Sequence, residues 1–143
     1  MIKRIVIPAL FFVAFAGCGS KGPAIVPVSG TVTLDGNPVA NAAVMFAPTS
    51  GGRPAEGTTG TDGKFQLTTE KPADGAMEGE YEVTVTGVRT VGAVVNPDGT
   101  SGDPTQVREE WFLPKKYARR DTSGLRQTVT KGMPPVELKL STK

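Results

Sequence analysis

The side chains able to do chemistry are few, and turn and strand geometry accounts for most of them. Glu78, Glu80 and Glu82 repeat at a spacing of two. On a strand that spacing puts Glu80 and Glu82 on one face, where paired carboxylates could do glycosidase chemistry. They alternate with Tyr81 and Val83, however, which marks them as the solvated side of a strand. The adjacent Glu109 and Glu110 read the same way. Asp35-Gly36, Asp62-Gly63, Asp74-Gly75 and Asp98-Gly99 each offer a single carboxylate, whereas a calcium loop converges roughly six to eight oxygens. Asp-Gly is instead a strong turn signal. Ser123 could act as a nucleophile only with Lys116 or Lys131 as its base, because the chain has no histidine, the commonest general base and metal ligand. No metal set is assembled and no cofactor is implied. The one cysteine, Cys18, excludes an internal disulfide.

Charge adds one further candidate. Removing Lys3 and Arg4 with a leader leaves fourteen basic and fourteen acidic residues, unevenly placed. Residues 19–113 carry six basic and twelve acidic groups, and residues 114–143 carry eight basic and two acidic. Lys115, Lys116, Arg119 and Arg120 lie beside Trp111, Phe112 and Tyr117. Cations interleaved with aromatics could form a contact patch for anionic headgroups or acidic glycans. The competing structural reading has the three aromatic residues plugging the fold while the basic residues sit in solvent. Nucleic acid is not an expected partner for a chain outside the cytoplasm.

The first residues argue for that location. MIKR is followed by IVIPALFFVAFA at 5–16, a basic start and an apolar run that together read as a secretory signal. The run is shorter than the roughly 20 residues needed to span a bilayer. Phe15-Ala16-Gly17-Cys18 resembles a bacterial lipobox, with Phe15 at the place usually held by an aliphatic residue. The resemblance implies cleavage before Cys18, diacylglyceryl attachment to its sulfur and acylation (palmitate or a similar chain) of the new N-terminus. More than one acyl chain anchors stably where a single chain does not. Gly19 and Ser20 stand where an Asp often signals inner-membrane retention. The resemblance therefore favours the outer membrane of a bacterial cell envelope, facing periplasm or surface.

Three segments are thus expected: a signal peptide over 1–17, a lipidated tether over 18–27 and a folded domain over 28–143. GSKGPAIVP, 19–27, reads as an extended, unstructured linker. Beyond it short β-like runs alternate with turn clusters. VSGTVTL (28–34), VANAAVMFAP (39–48) with Val44 and Phe46 on one face, and GEYEVTVTG (79–87) read as strands. TTGT, Asp62-Gly63 and KFQLT read as a compact hairpin, and VRTVGAVV (88–95) continues the preceding strand or starts another. NPDGTSGDPTQ (96–106) is a glycine-rich excursion. LRQTVTKG (125–132) and VELKL (136–140) read as the last hairpin. The best helical candidate, 108–120, is cut by Pro114. Strands at this spacing predict an all-β fold, an antiparallel β-sandwich of about seven strands with Ig-like architecture.

Part of this pattern resembles a known domain. Gly30, Val32, Gly36, Pro38, Val39, Ala42, Val44 and Phe46, then Thr61, Asp62, Gly63 and Phe65, then Gly79, Tyr81, Val83 and Val85 match the carboxypeptidase regulatory-like, transthyretin-like (prealbumin-like) β-sandwich. Pro114, Lys116, Tyr117, Thr122, Ser123, Gly124 and Leu125 are similar to the ending of small bacterial lipoproteins that carry this domain. The resemblance implies a fold and no carried-over activity. Hydrolases of transthyretin-like fold rely on histidines, and isopeptide-forming stalk domains use a first-strand lysine; this chain has neither. The expectation is a non-enzymatic, membrane-anchored envelope lipoprotein that binds or braces an envelope protein or other component. The alternative is a carbohydrate or small-ligand module using loops 88–113 and the basic patch 115–120, with Trp111, Lys115, Lys116, Arg119 and Arg120 as its contacts.

Overall fold

The computed structural model describes residues 24–92, 99–100 and 107–143. The signal segment, Cys18, most of the expected tether and most of the 96–106 excursion lie outside the described residues. The described chain is mostly β, built on two principal sheets and two short ribbons. Its strands are β1 Ile25–Val26, β2 Ser29–Leu34, β3 Asn37–Pro38, β4 Ala43–Pro48, β5 Ala55–Thr58, β6 Lys64–Gln66, β7 Ala76–Met77, β8 Gly79–Thr86, β9 Val88–Val91, β10 Arg108–Trp111, β11 Leu125–Val129 and β12 Val136–Leu140.

The first sheet is antiparallel throughout, in the order β11-β8-β4-β5. Period-two alternation builds it. Tyr81, Val83 and Val85 of β8 and Val44 and Phe46 of β4 are buried, and the register sets Val83 against Phe46 and Val85 against Val44. In the second sheet β2 is central. It runs parallel to β12 on one side, and on the other it pairs with β6 through Ser29–Thr31 and with β3 through Thr33–Leu34. Val136, Leu138 and Leu140 of β12 face inward while Glu137 and Lys139 face out. Both sheets contribute to one hydrophobic core. Phe46 meets Phe65 of the other sheet at a ring-centroid distance of 6.3 Å, and Tyr81 at 5.8 Å. Gly30 makes room for this, since a Cβ there would sit 2.6 Å from the Phe65 ring and 2.4 Å from the Val136 carbonyl oxygen.

Several expected elements are rearranged. The Asp35-Gly36 turn is a two-residue hairpin with φ of 48° and 86°, the type that matches strand twist. The strand it leads into, however, lasts only two residues. The chain then crosses to the other sheet, where Asn41 has φ 56° and the buried Thr59 accepts the Ala42 N–H on its hydroxyl at 2.8 Å. The expected strand 39–48 therefore begins at Ala43. The Asp62-Gly63 hairpin persists at its tip, where the Gly60 N–H donates to Lys64 O at 2.8 Å, but its arms β5 and β6 join different sheets. LRQTV and VELKL are not a hairpin either. β11 pairs β8 and β12 pairs β2, so the turn between them bridges the two sheets. Residues 108–120 split into β10, a 3-10 turn at Lys115–Ala118 and one helical turn, α1, Arg120–Ser123; Pro114 separates strand from turn.

The expected tether is partly folded. Ile25 and Val26 pair with Met77 and Ala76, and the Ala24 carbonyl accepts the Glu78 N–H at 3.2 Å. Val26 joins the core at 5% exposure. The approach depends on Gly75, whose φ is 103° and whose absent Cβ would lie 1.8 Å from the Val26 carbonyl oxygen.

Candidate functional site

Strand register gives the fold two poles. At the entry pole Ala24 meets Glu78, the pairing of β2 with β12 begins at Gly30 and Val136, and β11 ends opposite Gly79. At the far pole lie the 34–37 turn, Gly87, residues 111–120 and the segment after Leu140. These are joined by Phe112 N–H to Gly87 O at 3.0 Å, by Tyr117 to Ser141 and by Thr142 to Asp35. All five residues of the expected contact patch belong to the far pole.

Each is held differently. Trp111 ends β10 opposite Val88, in a ribbon with β9 whose side chains are half-exposed or exposed. Trp111 is 38% exposed, the one large hydrophobic side chain so open among the described residues. The Lys115 ammonium lies 5.3 Å from its ring centroid, a cation–π contact. The Lys116 ammonium sits 4.9 Å over Tyr117 and donates to the Lys143 carbonyl. Tyr117 itself is buried; its hydroxyl donates to Ser141 O at 3.2 Å and accepts the Ser141 N–H at 2.9 Å. It fastens the 3-10 turn to the end of β12 and is part of the core. Arg119 is engaged by Asp121 through two hydrogen bonds of 3.0 and 2.9 Å. These hold the Asp121 carboxyl below its ordinary range and raise the guanidinium. Arg120 is exposed, with no hydrogen bond or ion pair among the described residues.

The patch is thus three things. Trp111 with Lys115, and Arg120, are available to a partner; Lys116 and Tyr117 are structural; Arg119 is neutralised by its neighbour. The plug reading holds for Tyr117 and for Phe112, which packs half-buried against the core, but not for Trp111. Two features had gone unnoticed. Arg89 faces Glu110 across the ribbon, with both guanidinium contacts at 2.9 and 2.7 Å on one carboxylate oxygen. A groove of about 350 Å³ runs between the 34–40 turn and the residues following Trp111, lined by Leu34, Pro38, Val39, Phe112 and Leu113. Opposite charges at 89 and 110 were a usable signal for the pair; nothing local pointed to the groove.

The other chemical candidates are occupied by turn and strand duties. Asp62 accepts the Lys64 N–H at 3.1 Å, and Asp74 accepts those of Thr69, Glu70 and Lys71 at 2.7, 3.0 and 2.8 Å. Asp35 accepts the Thr142 hydroxyl at 2.8 Å. Glu82 meets Arg126 at 3.4 Å across β8 and β11, and Glu78 accepts the Lys131 N–H at 2.9 Å. Ser123 is buried and accepts the Leu125 N–H at 3.4 Å, while Lys131 belongs to the entry pole. Two open grooves of about 670 and 710 Å³ flank the β5–β6 crossing and share Thr58, Gln66 and Thr68. They are wide, with mixed polar and apolar walls, and Phe65 is the one aromatic residue lining them.

No family model, curated protein or solved structure matches the chain. No helix among the described residues is long and apolar enough to cross a membrane.

Proposed function

We propose that this chain is a non-enzymatic lipoprotein of the bacterial cell envelope, anchored through acylated Cys18, whose transthyretin-like β-sandwich binds or braces another envelope component. The two sheets around one core suit that fold, and the lipobox-like 15–18 run supports the anchor. The observation that carries the binding role is Trp111, left exposed beneath Lys115 at the end of the β9–β10 ribbon. Solvent-facing tryptophan is costly to keep, and Trp and Arg dominate binding hot spots. The anchor is tested by Cys18→Ser: labelled palmitate should disappear from the protein and the protein should no longer float with vesicles. Undiminished labelling overturns the anchor.

The second reading, a carbohydrate or small-ligand module, draws on the hydroxyl- and amide-lined grooves at Thr58, Gln66 and Thr68. Of the 88–113 loops it invoked, 93–98 and 101–106 lie outside the described residues. Glycan-array binding that falls with Thr58→Ala and Thr68→Ala, and not with Lys115→Ala, would favour it.

A further inference from the structure

We propose that the far pole docks an acidic, apolar-bearing peptide segment of another envelope protein, at Trp111, Lys115 and Arg120, and does so facing away from the bilayer that holds the chain. The orientation rests on the lipid-anchor reading above; the docking does not.

Charge selects an acidic partner. Arg89 and Arg119 are neutralised by Glu110 and Asp121. Lys115 and Arg120 have no carboxylate partner among the described residues, and neither has Arg108 on the ribbon face opposite Trp111; against them stand the unpaired Glu109 and the hydroxyl-bound Asp35. Among the described residues the pole is therefore net positive, which steers an anionic partner. Apolar surface narrows the choice to peptide. The exposed indole and the groove of about 350 Å³ lined by Leu34, Val39, Phe112 and Leu113 offer aliphatic and aromatic contact. A peptide side chain fills such a groove, whereas a polyanionic sugar would bury hydroxyls against it without hydrogen-bond partners.

Reach rules out an inverted chain on its own membrane. From Cys18 to the fixed Ala24 are six Cα steps, at most about 20–22 Å. The seven steps of β8 alone span about 23–24 Å between the poles. To stand inverted, with the far pole on lipid and the entry pole outermost, the domain would hold Ala24 farther from the bilayer than its tether extends. A tether running to Val28, as the sequence alone implied, would reach about 33–36 Å and allow inversion. The short ribbon β1–β7 removes that freedom.

Trp111 is the chain's only tryptophan, so its emission reports the pole directly. The mature lipidated protein is reconstituted in phosphatidylcholine vesicles with brominated acyl chains and titrated with a synthetic peptide of alternating glutamate and leucine, a lysine–leucine peptide serving as control. The expected result is emission unquenched by the bromolipid and a saturable, salt-sensitive blue shift with the acidic peptide only. Lys115→Ala with Arg120→Ala, both exposed positions, should weaken binding about tenfold at unchanged melting temperature. Quenching by bromolipid overturns the orientation. Absence of a shift, or a stronger one with polygalacturonate or with phosphatidylglycerol vesicles, overturns peptide docking. If the protein fails to float with the vesicles, the anchor reading falls while the titration still decides the docking.

Discussion

Asp74 places both carboxylate oxygens on backbone donors: Oδ1 accepts from Thr69, Oδ2 from Glu70 and Lys71. The Thr69 bond is the largest of the influences that lower its pKa beneath the ordinary value. A carboxyl with a depressed folded-state pKa stabilises fully above its unfolded value, about 3.9, and loses that contribution as pH falls through the folded value. Asp74→Asn removes the Oδ2 acceptor from two N–H groups. Its melting temperature should therefore lie below that of the wild type at neutral pH, with the gap narrowing as pH drops below about 4; calorimetry across that range reads it directly. A gap independent of pH would show that the loop is held by something other than this charge. These contacts were half-legible in the sequence. Asp-Gly announced a turn, but not that the aspartate reaches back five residues to close it.

The ribbon β1–β7 shows why short elements escape sequence reading. Two residues carry no periodicity, and the position that admits them, Gly75, lies fifty residues further along the chain. By contrast β8 was legible because eight residues alternate cleanly between Tyr81, Val83, Val85 and their polar neighbours. Gly75→Ala places a methyl group against the Val26 carbonyl in a left-handed backbone, at a cost of about 1–3 kcal/mol. The expected outcome is release of β1 with the core intact: new protease cleavage around Ile25, and near-wild-type cooperative unfolding of the remainder. Cleavage no faster than in the wild type would mean that β1 is held by Val26 burial alone. The Arg89–Glu110 pair in the β9–β10 ribbon is an exposed contact and contributes little, typically under about 1 kcal/mol.

For the whole molecule, the sequence conveyed the β class, the inward-facing residues and the far-pole cluster, because these follow from local alternation and composition. It did not convey which strands meet. The parallel pairing of Val136–Leu140 with Gly30–Leu34 has no local signature, and it turned an expected hairpin into a bridge between sheets. Val136, Leu138 and Leu140 are each at most 5% exposed, and each contributes about 1.5–3 kcal/mol against a whole-domain stability of about 5–15 kcal/mol. Deleting 136–143 should leave a chain without cooperative thermal unfolding or near-ultraviolet dichroism; a truncated chain that still melts cooperatively would show that β12 is dispensable. The same closure sets an order of events. A polypeptide threaded N-terminus first through a translocation channel would present β2 long before its parallel neighbour emerged. The second sheet would stay incomplete until the late-synthesised strand arrived, so maturation would fall after passage rather than before it.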